Sequence, residues 1–158
     1  MKAVVIGCGG VANWAHLPNL KKLGVDVVGL CDIVEQRAED AAKKYGGSPF
    51  QDYRDALKLE ADFVVIATPP DTHYEIARYA LEQGKDVFLE KPLAADLKSA
   101  QNLYRAATES GRKLVPGLCL RFNPMFTYAA SRVKELGRLH YAYSFALGNA
   151  AGLLGPSG

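Results

Sequence analysis

The 158-residue chain is poor in several things, and each shortage narrows what it does. It has three cysteines, Cys8, Cys31 and Cys119, an odd number with no C-x-x-C spacing among them. That argues against a disulfide framework or a cysteine zinc site and for a reducing compartment. Cys8 and Cys31 fall at expected strand ends, where small thiols pack rather than react. No stretch approaches the roughly 18 apolar residues of a membrane span. The apolar run after Lys2 stops at Gly7, too short for a secretory signal, so a cytoplasmic location is expected. Runs of like charge are missing and the net charge is only +2, which argues against nucleic acid or an acidic surface as partner. There is no internal repeat and no low-complexity segment. What remains is an ordinary globular composition, 49% hydrophobic and 23% charged. The chain is long enough for one domain with a sizeable core, or one domain plus part of another.

What is present begins at the N-terminus. Lys2-Ala3-Val4-Val5-Ile6 is a β-branched run that stops at Gly7-Cys8-Gly9-Gly10-Val11-Ala12, after which an apolar, helix-compatible run begins. The spacing G-x-G-x-x-A at Gly7, Gly9 and Ala12 reads as strand, tight turn and helix start. Gly7 permits the turn, Gly9 lets a pyrophosphate approach the backbone, and Ala12 lets the helix pack close to the strand. The first-turn N–H groups and the positive end of the helix dipole would face the phosphates. A second apolar run, Val25 to Cys31, ends in Asp32, twenty residues past Ala12. There a dinucleotide fold places a carboxylate on the adenosine ribose hydroxyls. Asp32 repels a 2′-phosphate and so favours NAD. Arg37, in the following helix, keeps NADP open as the alternative or is a solvated helix residue.

Further elements follow in order. A first helix is expected over Val11–Lys22, short or kinked because Pro18 removes a hydrogen bond. Trp14 either packs or, with His16, faces the nicotinamide side of the cleft. A helix over Ile33–Tyr45 stops at Gly46-Gly47. A brief strand at Ser48–Phe50, a short helix over Asp52–Leu57 and a fully buried strand over Phe63–Ala67 come next. Thr72 and Glu75 form a capping box for the helix that ends at Gly84. His73 reads as a pocket residue or a surface one, with its place on the ligand side of the sheet favouring the pocket. A strand over Asp86–Leu89 delivers Glu90-Lys91-Pro92, a turn whose Lys-Pro bond is a candidate for cis. Lys91 there suits polarisation of a substrate hydroxyl or carbonyl. Asp96 caps a helix over Leu97–Ser110, and Lys113–Gly117 is the sixth strand. Six strands joined right-handedly through helices give an α/β fold, a doubly wound parallel sheet. A helix over Met125–Leu136 and an alternating strand over 139–147 open a second α/β domain. An apolar strand edge there invites pairing with another chain. The expected domains are 1–118, binding the dinucleotide, and 119–158, an incomplete start of a substrate and oligomerisation domain.

Gly7-x-Gly9-x-x-Ala12, Ala67-Thr68-Pro69-Pro70-x-x-His73 and Glu90-Lys91-Pro92-Leu93-Ala94 together resemble the Gfo/Idh/MocA oxidoreductase family. Arg121-Phe122-x-Pro124 resembles that family's segment leaving the nucleotide domain, so the resemblance covers essentially the whole chain. It implies a Rossmann domain and hydride transfer between a nicotinamide and a sugar, polyol or related carbonyl compound. It implies cofactor contacts from Gly7, Gly9, Gly10, Val11, Ala12, Asp32, Ile33, Arg37, Ala67, Thr68, Pro69, Pro70, His73, Glu90, Lys91, Pro92 and Arg121. Lys91 orients and polarises the substrate, no metal is required, and a homo-oligomer forms through the C-terminal sheet. The family's Asp-x-x-x-His motif, whose histidine exchanges the proton, is not found in these 158 residues, and His140 sits in the alternating strand instead. The chain alone is therefore expected to bind NAD with little turnover. A regulatory nucleotide-binding module, and an NAD-using lyase or hydrolase without net redox change, remain the alternatives.

Overall fold

The structure, a computed structural model, describes residues 1–138, 140, 141 and 143. The chain separates into two compact units, Met1–Leu118 and Cys119–Gly158.

The first unit is built on a parallel sheet of β1 (Lys2–Ile6), β2 (Asp26–Cys31), β3 (Ser48–Phe50), β4 (Phe63–Ile66), β5 (Asp86–Leu89) and β6 (Leu114–Pro116), in the order β3-β2-β1-β4-β5-β6. This is the order of a doubly wound nucleotide fold, with the chain reversing direction across the sheet between β1 and β4. The central strands read as unbroken apolar runs because both faces are covered. Val4, Ile6, Val64, Ile66, Val87 and Leu89 pack one face, against Ile76, Ala77, Ala80 and Leu81 of α4 (His73–Glu82) and Leu103 and Ala107 of α5 (Leu97–Ser110). Val5, Val27, Leu30 and Val65 pack the other, against Ala12, against Leu17 and Leu20 of α1 (Leu17–Lys22), and against Ala41 of α2 (Glu35–Tyr45). Each such aliphatic side chain contributes about 1.5–3 kcal/mol on burial.

β2 carries an irregularity. Its register against β1 runs Ala3 to Val27 and then Val4 to Gly29, so Val28 is the extra residue of a bulge. The side-chain alternation resets there. Val27 and Leu30, three apart, share one core, while Val28 and Cys31 share the other. Gly29 sits at the reset, where a Cβ would stand 2.8 Å from the Leu59 side chain.

Four local expectations change. The first helix opens with a π turn, Ala12–His16, in which Leu17 N–H donates to the Ala12 carbonyl. The wider turn lies just ahead of Pro18, which has no N–H to give the carbonyls of the turn behind it. α2 begins at Glu35 rather than Ile33, because the Asp32 side chain accepts from Val34 N–H at 2.9 Å and holds Val34 extended. The Thr72–Glu75 capping box does not form. Thr72 already has helical dihedrals (φ −94°, ψ −12°), and its hydroxyl lies 2.8 Å from both the Thr68 hydroxyl and the Pro69 carbonyl. Glu75 instead accepts from the Tyr53 hydroxyl and Arg54, both of α3 (Tyr53–Ala56), at 2.7 Å each. Trp14 is 75% exposed and packs on no core. By contrast, Asp96 accepts from Ser99 N–H at 2.9 Å and caps α5, which Gly111 ends with φ 65°.

In the second unit a 3-10 turn (Cys119–Phe122) leads to α6 (Pro124–Val133), whose first turn is capped by Asn123 accepting from Met125 N–H at 2.9 Å. No residue of α6 is buried. The strand expected over 139–147 lies for the most part outside the described residues. No described helix is long and apolar enough to cross a membrane.

Candidate functional site

The carboxyl ends of β1, β2 and β4 open into a cleft of about 510 Å³. Ten residues singled out in the sequence line it: Gly7, Gly9, Gly10, Val11, Asp32, Ile33, Arg37, Ala67, Thr68 and Pro69. The glycines divide by cause. Gly7 is required by the protein itself: its φ is +92°, and a Cβ would stand 2.5 Å from the Ala67 carbonyl oxygen. Gly9 and Gly10 have no positive φ, and a Cβ on either would meet nothing within 4 Å. Packing does not demand glycine there, and the free space lies where a pyrophosphate would approach the helix start. That opening turn has N–H groups without intrahelical acceptors. Ala12 is buried behind the turn in the core with Val5 and Cys8, so it sets the helix–strand distance and does not touch the cleft.

Asp32 is the buried acid of the cleft, 7% exposed. Its Oδ2 accepts from Cys8 N–H and its Oδ1 from Val34 N–H, each at 2.9 Å. A carboxylate has about four acceptor positions, so two backbone bonds fix its orientation and leave room for ribose hydroxyls. Arg37 is exposed, with its Nη1 4.0 Å from Asp32 Oδ1. Burial, with Asp32 adding to it, pushes the Cys8 thiol up to about 12. The Cys31 thiol is also pushed up to about 12, chiefly by burial. Both remain neutral packing groups, and Cys8 Sγ lies 3.6 Å from the Cys31 carbonyl.

The cleft also takes in Gln51, Tyr53, Asp71, Thr72 and Ile76, which the sequence reading did not single out as cofactor contacts. A signal for the first two existed. They follow β3, whose carboxyl end adjoins that of β2. Tyr53 is pushed up to about 12, first by burial and then by its hydrogen bond to Glu75.

Six expected contacts lie elsewhere in the first unit, and a seventh, Arg121, belongs to the second. Ala12 is the first, buried as described. Pro70 is exposed beside the cleft without lining it. Arg121 belongs to the second unit, in the 3-10 turn, and is exposed. His73 is fully buried, which corrects its assignment to a pocket surface. Its Nδ1 lies 2.7 Å from the Pro92 carbonyl oxygen and its Nε2 2.8 Å from that of Thr68. Glu90, Lys91 and Pro92 form a turn at the carboxyl end of β5, with the Lys91–Pro92 peptide cis. Glu90 is half-buried: its Oε1 lies 2.9 Å from His16 Nε2, and its Oε2 accepts from Lys91 N–H at 3.1 Å. The His16 ring stands edge-on to Phe88, 5.4 Å between centroids. Lys91 is exposed, and among the described residues its ammonium makes no ion pair or hydrogen bond.

A doubly wound sheet with a glycine turn after β1 and a buried, oriented acid after β2 defines a dinucleotide-binding domain. Residues 1–118 match the family model described as the oxidoreductase family with an NAD-binding Rossmann fold, and the chain belongs to this Gfo/Idh/MocA family. Inositol 2-dehydrogenase of Salmonella paratyphi B is 34% identical over 120 residues, covering 73% of this chain and 35% of the relative. The scyllo-inositol 2-dehydrogenase (NAD(+)) of Bacillus subtilis is 29% identical over 151 residues, covering 92% and 44%. Among solved structures, KijD10, a 3-ketoreductase from Actinomadura kijaniata in complex with NADP, superimposes with a TM-score of 0.80 at 29% identity, covering 85% of this chain and 44% of that one. The WlbA dehydrogenase from Bordetella pertussis, in complex with NADH and UDP-GlcNAcA, also gives 0.80, at 25% identity and 85% and 42% coverage. The chain spans about a third of the length of the first inositol dehydrogenases it matches, 35%.

Proposed function

We propose that this chain is the NAD-binding part of a dehydrogenase acting on a sugar, polyol or related hydroxy or carbonyl compound. Asp32 carries the reading: a buried carboxylate, oriented by two backbone N–H groups, at the mouth of a cleft whose glycines leave space the protein does not fill. Bound NAD would supply a hydride acceptor at its nicotinamide. The residues of the chain supply the rest. First-turn N–H groups at Gly10 and Val11 hold the pyrophosphate, and Asp32 accepts from the ribose hydroxyls. Thr68 and Pro69 wall the cleft on the β4 side. Lys91, a compact charge with three donors, hydrogen-bonds the substrate oxygen and withdraws electron density from it. The carboxylate at Asp32 repels a 2′-phosphate, so NAD is preferred to NADP, with Arg37 the group that moderates the preference. Three free cysteines, two of them buried, suit a reducing cytoplasm. A homo-oligomer is the expected assembly of the whole protein.

Calorimetric titration of the pure chain with NAD and with NADP tests this. NAD binds more tightly than NADP, and Asp32→Ala weakens NAD by about tenfold or more, the loss of a charge-assisted pair worth about 1.5–3 kcal/mol. A folded chain that binds neither nucleotide refutes it.

A further inference from the structure

The Glu90-Lys91-Pro92 turn is held from both flanks by histidines that come from elements far away in sequence. On one side His16, in the π turn after the glycine loop, meets Glu90 at 2.9 Å, and the other Glu90 oxygen takes Lys91 N–H. On the other side His73, the first residue of α4, reaches the Pro92 carbonyl at 2.7 Å and the Thr68 carbonyl at 2.8 Å. The residue between the two holds is the exposed Lys91. The geometry points to His16 and His73 as positioning residues that fix the backbone of the Lys91 turn to the cofactor loops, so that the lysine is presented at a set place although among the described residues its ammonium makes no hydrogen bond or ion pair.

Lys91 is exposed and its side chain is unrestrained, so only its backbone can be placed. Its N–H is tied to Glu90, and Glu90 is tied to the helix that opens beside the phosphate-binding turn. The next residue is tied through His73 to the Thr68 loop. Both loops line the cleft. A carbonyl oxygen only accepts, so each of the two contacts is a hydrogen bond only where the ring nitrogen facing it carries a proton. A ring with a single N–H would secure one carbonyl and leave the other buried contact repulsive. The buried ring lies too deep to touch a ligand, which separates this role from a cofactor contact.

The proposal rests on the reading of Lys91 as the substrate-polarising group, but its test needs no nucleotide. Nitrogen relaxation of the uniformly labelled full chain gives the order parameter of the Lys91 amide, with Leu89 in β5 as internal reference. In the wild type the Lys91 amide is as rigid as Leu89, about 0.85, and in His16→Ala and His73→Gln it falls below about 0.6 while Leu89 stays rigid. A Lys91 amide that is mobile in the wild type, or that stays rigid in both folded variants, overturns the proposal. Should His73→Gln fail to fold, the ring-nitrogen spectrum of wild-type His73 decides. Two N–H groups sustain the double hold, and one bare nitrogen overturns it. Failure of NAD to bind sinks the functional reading alone, because neither measurement involves the nucleotide.

Discussion

The carboxyl ends of β2 and β5 each present a charged side chain to which the proposed function gives a direct role, Asp32 and Lys91, and the two are held in opposite ways. Asp32 after β2 is buried and gripped directly, both of its oxygens taken by backbone N–H groups. Lys91 after β5 is exposed and gripped only through its neighbours, Glu90 and Pro92. The difference follows from the work proposed for each. A group that recognises an invariant ribose gains from a fixed, desolvated carboxylate. A group that meets a substrate gains from a placed backbone and a free end.

The largest break in this comparison is Gly7→Ala, which strikes the junction of both ends. The new Cβ would collide with the Ala67 carbonyl at 2.5 Å, at a φ of +92°. A loss on the order of 3 kcal/mol is expected from strain and overpacking, read as a melting temperature lower by roughly 10 °C. Next is Asp32→Ala, which leaves Cys8 and Val34 N–H without their acceptor. Unfolding in urea should show a loss of about 1–3 kcal/mol, and Asp32→Asn, keeping one acceptor oxygen, should recover part of it. A graded effect, spread over the pH scale, lies in alkali. The Cys8 and Cys31 thiols, raised from 9.0 to about 12, stay protonated in the folded chain while the unfolded chain ionises. The unfolded state then holds fewer protons, so stability falls as pH rises from 9 toward 12. The slope approaches about 1.4 kcal/mol per pH unit for each thiol. Chevron or urea midpoints compared between wild type and Cys8→Ala check the sign, since the variant loses one of the two contributions. The smallest effect is Lys91→Ala. Stability should shift by less than about 0.5 kcal/mol and NAD affinity by under about twofold, measured by melting and calorimetry. A large loss of either would show that the lysine is gripped like the aspartate.

The two ends also differ in how far the sequence announced them. The β2 end was legible because its signals are local: an apolar run, an acid at its close, and glycines twenty-odd residues earlier. The first four strands of the core, a short or kinked first helix at Pro18 and the Asp96 cap are local in the same sense, while the π form of that distortion was not legible. The start of α2 was misplaced by two residues because Asp32 took the Val34 N–H, a competition that helix periodicity does not register. Thr72 and Glu75 had the spacing of a capping box, yet each found a better partner, Thr68 and Pro69 for one, Tyr53 and Arg54 for the other. At the β5 end the strand, its Glu90-Lys91-Pro92 turn and the cis bond were legible, but not what holds the turn. His16 and Glu90 are 74 positions apart and meet because the π turn of the first helix reaches across to Phe88 of β5. His73 was read toward the pocket because it follows a strand on the ligand side. Which way the first residue of α4 faces is decided by packing, and it faces inward.

The bulge at Val28 can be put in terms of phase. A strand is a two-beat pattern, and its beats decide which side of the sheet every later residue serves. β2 keeps one phase through Val28 and the opposite phase from Leu30, with a residue lacking a side chain at the change. Val27 and Leu30 therefore serve one core and Val28 and Cys31 the other, and the reset carries through to Asp32, which meets Cys8 at the ligand end. Were the strand to run in unbroken alternation from Val27, Leu30 would turn to the face Cys31 now serves, and the acid after it would change sides as well.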